Sequence, residues 1–172
     1  MVHDDAPGVA TLTVRALDAE DANGARALLL PAWDGEHPQV EAMLSRLDRA
    51  ARQESAESLA LVAVIGPTVV GLANFGMVAG SLGTAAVHGV YVAEEIRGRG
   101  AGSALMRGLL KVLNADHARL LVAEVPDDDA HSVYRQFLSR QGFFMEGRVP
   151  DLVRDGVAMT LWRLESPGMP QL

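Results

Sequence analysis

The order of elements predicts a single α/β (α+β) domain, and three observations carry that expectation. The chain of 172 residues is long enough for one full core and too short for two ordinary ones. Strand-like runs and amphipathic helical stretches follow one another as β-α-α-β-β-β-α-β-α-β-β, with no repeat, low-complexity stretch or interdomain linker. Apolar residues make up 49% and charged residues 22%, the composition of a globular protein rather than a disordered or fibrous one. The domain is expected over 11–165. A flexible N-terminus over 1–10 would precede it, and a loose tail over 166–172, with Pro167 and Pro170, would follow.

Residues 11–17 alternate and are rich in β-branched side chains, so they read as a strand. Asp18 suits the N-cap of a helix over 19–30, which stops at Pro31. A second amphipathic helix is expected over 38–53, with Val40, Met43, Leu44 and Leu47 on one face. Residues 58–65 form an apolar strand, Gly66-Pro67-Thr68 a turn, and 69–78 the hairpin partner. After a turn at 80–83, residues 84–93 make a third strand, and a glycine-rich turn from Arg97 opens a helix over 100–114. The strand over 119–125 lacks alternation, which places it centrally with both faces buried. Asp127, Asp128 and Asp129 supply an N-cap and first-turn carboxylates for a helix reaching Gln141, and Gly142 ends it. Strands over 143–149 and 157–164, joined by a turn at Asp155-Gly156, complete the chain.

Composition excludes several function classes. A net charge of -7 and a pI near 5.1 argue against nucleic-acid binding, which needs a basic surface that releases counterions. A cationic or neutral small substrate fits better. With no cysteine there is no disulfide, thiolate nucleophile or cysteine-based zinc site. His3, His37, His88, His117 and His131 are too dispersed for a short metal-ligand motif, so no metal is expected. The polar first nine residues resemble neither a signal peptide nor a membrane anchor, so a cytoplasmic location and no membrane partner are the expectation.

The run Arg97-Gly98-Arg99-Gly100-Ala101-Gly102 follows a strand and opens an apolar helix containing Leu105, Met106, Leu109, Leu110 and Leu113. First-turn amides lack helical acceptors and sit at the positive end of the helix dipole, so they form an anion site. Glycines at 98, 100 and 102 remove the Cβ atoms that would hold a phosphate away, and Arg97 and Arg99 add charged donors. A solvated glycine turn is the bland alternative. A Walker A loop is excluded because no lysine precedes Ser103, and a dinucleotide fingerprint is weak because Ser103 stands where its third glycine belongs.

The stretch Val90-Tyr91-Val92-Ala93-Glu94-Glu95-Ile96-Arg97-Gly98-Arg99-Gly100-Ala101-Gly102 resembles the acyl-CoA signature of the GNAT (Gcn-related N-acetyltransferase) superfamily. Phe137-Leu138-Ser139-Arg140-Gln141-Gly142-Phe143 is similar to the end of the family's later helix, an aromatic pair, three residues and Gly-Phe. The resemblance covers residues 11–164. It implies the GNAT acyl-CoA N-acyltransferase fold, a mixed, mostly antiparallel sheet of about seven strands flanked by about four helices and splayed at the coenzyme site.

By the same resemblance, Val90, Tyr91 and Val92 would bind the coenzyme, with backbone groups of Val90 and Val92 pairing with the pantetheine arm. Amides from Gly98 through Ser103 would hold the pyrophosphate. His131, where the family often has Asn, and Tyr134 would lie along the coenzyme, or would serve only as cap and packing residues. The implied activity is N-acetyl transfer from acetyl-CoA, as cosubstrate, to a primary amine of a small molecule or peptide by direct attack in a ternary complex. Homodimers are common in the family and remain an open expectation. The family's acid, a Tyr, is replaced here by Leu138, which leaves open a noncatalytic acyl-CoA-binding or regulatory module.

Acyl transfer to an amine needs a proton acceptor, an oxyanion donor and often an acid for the departing thiolate. Tyr134, one helical turn before Leu138 and on the same face, is the candidate acid; the alternative is a ring that packs while its hydroxyl meets water. His88 shares strand parity with Val90 and Val92, and its ordinary pKa near 6.5 suits a base; the alternative is a satisfied core histidine. Glu124, in a strand expected to be buried, is the next candidate, as base or as amine-binding group. Asp34, Glu36, Asp151 and Asp155 would either attract a cationic substrate or sit in solvated turns.

Overall fold

The computed structural model describes residues 11–32 and 38–165. His3, His37, Asp34, Glu36 and both expected termini lie outside the described residues. The elements are β1 (Leu12–Ala16), α1 (Ala22–Leu29), α2 (Pro38–Ala51), β2 (Leu59–Ile65), β3 (Thr68–Met77), β4 (Thr84–Val92), α3 (Ala101–Ala115), β5 (Leu120–Pro126), α4 (Ser132–Arg140), β6 (Phe144–Arg154) and β7 (Val157–Glu165). The strands form one open seven-stranded sheet in the order β1-β2-β3-β4-β5-β7-β6. Among the described residues no helix is long and apolar enough to cross a membrane.

Neighbouring strands are antiparallel except β4 and β5, which run parallel. That parallel pairing is short. Thr84, Ala85 and Ala86 pair with Leu120, Leu121 and Val122, and beyond them the two strands separate. Residues 87–92 and 123–126 therefore bound a gap in the middle of the sheet.

Helices cover both faces. Leu105, Leu109 and Leu113 of α3 and Leu138 of α4 join one core with Leu61, Ala73, Phe75, Val87 and Leu121. On the other face Leu29 of α1 and Met43 and Leu47 of α2 pack with Val62, Val64 and Leu72. Each such leucine contributes roughly 1.5–3 kcal/mol by leaving water, so the sheet is clamped on both sides of the β4 edge of the gap.

Four sequence expectations are corrected. Helix α1 starts at Ala22, because Asp18 Oδ1 accepts from the amides of Glu20 (2.9 Å) and Asp21 (3.2 Å) and closes a turn instead of capping a helix. Strand β5 buries one face only: Leu121, Ala123 and Val125 are buried, whereas Glu124 between them is exposed. Strand β6 runs to Arg154 rather than stopping at 149; its ladder to β7 skips from Val149 to Arg154, so Pro150 sits where its missing amide breaks no pairing. Helix α4 begins at Ser132 after a single turn over Asp129–His131, whose first amide partner is Asp128, accepting from His131 N at 3.1 Å.

Candidate functional site

The gap opens into a cleft of about 1150 Å³. It is lined by β4 and β5, the turn before α3, the first turns of α4 and, across the sheet, α1 and α2. A second cleft, about 480 Å³, lies between the end of α2 and β2; its one carboxylate, Glu54, is engaged by Arg52 at 2.6 Å.

Gly98 and Gly100 have φ of +75° and +86°, a region costly for residues with a Cβ, and a Cβ at either position would project into open space. Gly102 has another reason to be glycine. A Cβ there would stand 3.2 Å from the Phe137 ring, so this glycine seats α3 against α4, and the expectation that it clears room for a phosphate is corrected. Arg97 N and Arg99 N donate to Glu94 O and Ile96 O, and Ala104 N to Gly100 O. The amides of Gly98 and of Gly100 through Ser103 meet no acceptor among the described residues. Five main-chain donors thus converge on a helix start, which suits a pyrophosphate.

The two arginines are placed differently from each other. Arg97 Nε donates to Val92 O at 3.1 Å, tying the loop back to the end of β4. Arg99 is exposed, and neither guanidinium forms an ion pair among the described residues.

Ala93 N donates to Val70 O at 2.9 Å. By antiparallel alternation the main-chain groups of Tyr91 also face β3, and those of Val90 and Val92 face the gap. An unpaired strand edge next to an amide cradle fits an extended arm carrying amides, with the Val92 carbonyl shared with Arg97.

His88 is not on the face its spacing suggested. Phe75 pairs with Val87 and Asn74 with Gly89, so His88 is the extra residue of a β-bulge. Val87 and Val90, three apart, accordingly both pack in the α3 core, while His88 keeps the parity of Ala86 and lies near Arg46 of α2, on the other face. Burial, with the Arg46 charge adding to it, lowers the imidazole to about 4. His88 is therefore neutral at physiological pH, not poised near its ordinary value.

Glu124 stands two residues past the last parallel pair on β5, as His88 does on β4, and on the same side of the sheet. The two flank the mouth of the gap. Glu124 is exposed to the cleft, so the expectation of a buried carboxylate is corrected.

Leu138 is fully buried in the α3 core. Tyr134 stacks on Phe137 with ring centroids 6.2 Å apart, and its hydroxyl is buried without a hydrogen-bond partner. Burial, with Tyr91 nearby, pushes that hydroxyl up, so it stays a neutral donor. The reading in which it meets water is set aside. His131 Nδ1 lies 2.6 Å from Asp128 Oδ1, which fixes the imidazole beside the cleft. Asp151, within β6, and Asp155, in the turn that follows, are both exposed, and Asp151 Oδ1 accepts from Gly156 N at 2.8 Å.

One cleft residue, Arg46, was missed, and Tyr91, expected as part of the coenzyme strand, directs its ring to the other face of the sheet. The Tyr91 ring folds back along β4, and its hydroxyl would lie 2.6 Å from a Cβ at Gly89; Gly89, two residues earlier, is the trace of this in the sequence. Arg46 carries no local signal beyond standing three residues after the core residue Met43. Among the described residues no cluster of His, Asp or Glu is arranged for a metal ion.

A family model described as the acetyltransferase (GNAT) family matches residues 23–143, well over half of the chain. No curated protein matches the sequence. Solved structures do match. A Desulfovibrio desulfuricans protein assigned to the GNAT family superposes with a TM-score of 0.82 at 21% identity, covering 91% of this chain and 99% of that one. A Salmonella typhimurium protein solved with its cofactor acetyl-CoA gives 0.72 at 18%, covering 94% and 98%. The ribosomal-protein-alanine N-acetyltransferase of Brucella melitensis gives 0.70 at 21%, covering 89% and 99%. At these identities the likeness concerns the fold.

Proposed function

The chain belongs to the acetyltransferase (GNAT) family, and from that premise we propose that it transfers an acetyl group from acetyl-CoA to a primary amine, by direct attack with both substrates bound. The observation that carries the reading is the set of acceptor-less amides of Gly98 and of Gly100 through Ser103 beside the unpaired edge of β4. The cradle would hold the pyrophosphate, and Val90 and Val92 would align the pantetheine arm so that its thioester reaches the gap between His88 and Tyr134. His131, held by Asp128, would lie along the same arm.

The bond between the amine nitrogen and the acetyl carbon forms as the carbon–sulfur bond breaks, and the electron pair leaves on sulfur. His88 would take the surplus proton of the nitrogen. A weak base suffices, because nitrogen becomes strongly acidic as the new bond forms. The Tyr134 hydroxyl, a buried donor with no partner, would donate to the charge that develops on oxygen or sulfur. Glu124 would draw the substrate ammonium toward the mouth.

A second reading, a noncatalytic acyl-CoA-binding module, is favoured by Leu138, which seals the family's acid position. The two separate in one assay. Release of free thiol from acetyl-CoA, followed with a thiol-reactive dye, depends on added primary amine if the chain is a transferase. Coenzyme binding without amine-dependent release across a broad amine panel establishes the module instead.

A further inference from the structure

Arg46 gives the acceptor side of the cleft a chemistry that the transfer reaction does not require. The side chain is half-buried, lines the cleft from α2 and lies near His88. Several arginines pair with carboxylates, among them Arg15 with Asp21, Arg26 with Asp48, Arg148 with Asp127 and Arg163 with Glu146, and the described arginines that lack an ion pair, Arg46 apart, are exposed. Arg46 forms no hydrogen bond or ion pair among the described residues. A guanidinium drawn partly out of water without a counterion is costly, and an arginine is suited to bidentate recognition of a carboxylate.

The surroundings narrow the ligand. Glu124 faces the same space from β5, and Leu28, Met43 and Met159 supply apolar walls. One cation, one anion and apolar sides complement a molecule with an ammonium, a carboxylate and a hydrocarbon group. We infer that the acceptor is a free amino carboxylate with an apolar side chain, its carboxylate on Arg46 and its amine between Glu124 and His88. This rests on the transferase reading. It also resolves a tension within it: a substrate carboxylate on Arg46 offsets the charge that, with burial, lowers the His88 imidazole, so the base strengthens when the substrate arrives.

The test compares three acceptors that share a side chain: leucine, leucinamide and 3-methylbutylamine, with phenylalanine, phenylalaninamide and 2-phenylethylamine as a second set. Each kcat/KM is corrected for the neutral-amine fraction. The carboxylates are expected to exceed their partners by at least tenfold. Arg46→Gln should collapse that ratio toward one, chiefly through KM, and Arg46→Lys should restore part of it. Equal rates for leucine and leucinamide, or a preference that survives Arg46→Gln, would overturn the inference; faster leucinamide would indicate a peptide N-terminus.

A binding arm separates this inference from its premise. With the protein saturated by CoA, leucine should raise the melting temperature in an Arg46-dependent way and leucinamide should not. If that holds without any turnover, carboxylate recognition stands and transfer fails. If leucine neither binds nor reacts while other amines are acetylated, transfer stands and carboxylate recognition fails. If CoA itself does not bind, both fail.

Discussion

On the proposed coenzyme side of the gap the cleft offers main-chain groups; on the α1 and α2 side it offers side chains drawn from three elements. The first site is five amides at the start of α3 and the open edge of β4. The second is Arg46 from α2, His88 and Tyr91 from β4 and Glu124 from β5. A main-chain site requires special backbone and so writes glycines into a continuous stretch. A side-chain site needs only single residues placed by packing, and nothing in the chain near each one announces it. The first can serve one shared ligand, whereas the second can be respecified one residue at a time.

Substitutions should respect this division. The largest effect is expected at His88. His88→Gln should lower kcat about a hundredfold or more, in the range typical of a lost base, while coenzyme affinity measured by calorimetry stays within about twofold. A parallel loss of coenzyme affinity would mean that the two sides are one unit. Because His88 is held near 4, the wild-type kcat/KM should rise with pH as the amine deprotonates, with no break near 6.5; such a break would place the base elsewhere.

The same histidine couples to stability. Its folded pKa lies below the ordinary 6.5, so the unfolded chain binds the proton more readily. The contribution is complete above about pH 6.5 and is lost as pH falls toward 4. At about 1.4 kcal/mol per unit, the loss is on the order of 3 kcal/mol. Denaturant unfolding between pH 7 and 4.5 should show a steeper decline for the wild type than for His88→Gln, and equal slopes would contradict the buried, neutral imidazole.

Gly100→Val probes the other side with a smaller effect. A β-branched residue at φ +86° costs roughly 1–2 kcal/mol and fills the space beside the amides. The KM for acetyl-CoA should rise about tenfold or more, and the preference among amines should not change. An altered amine preference would break the division between the two sides.

The element order and the glycine-rich turn before α3 were legible because each carries its own local signature. Positive φ at Gly98 and Gly100 and the strand before them form a pattern within a dozen residues. The bulge at His88 was not legible. The spacing of His88, Val90 and Val92 reads as unbroken alternation, and only the partner strand, where Asn74 and Phe75 oppose three residues, reveals the extra one. Glu124 was misread for a related reason: absence of alternation in 119–125 implied two buried faces, yet one face meets an open cleft because β4 and β5 part after Val122. Pro150 looked like a strand end, but an irregular ladder tolerates it. Arg46 was invisible because its meaning depends on a histidine 42 positions later on another element.

The most direct measurement compares the thermal stabilisation by CoA with that by pantetheine, which keeps the amide arm and lacks the pyrophosphate. With each ligand at a hundred times the dissociation constant expected for CoA, CoA should add about 2.7 kcal/mol, a shift of roughly 5–10 °C for a chain of this length, and pantetheine should add far less. Equal shifts, or none with CoA, would contradict the assignment of the amides from Gly98 to Ser103 as the pyrophosphate cradle.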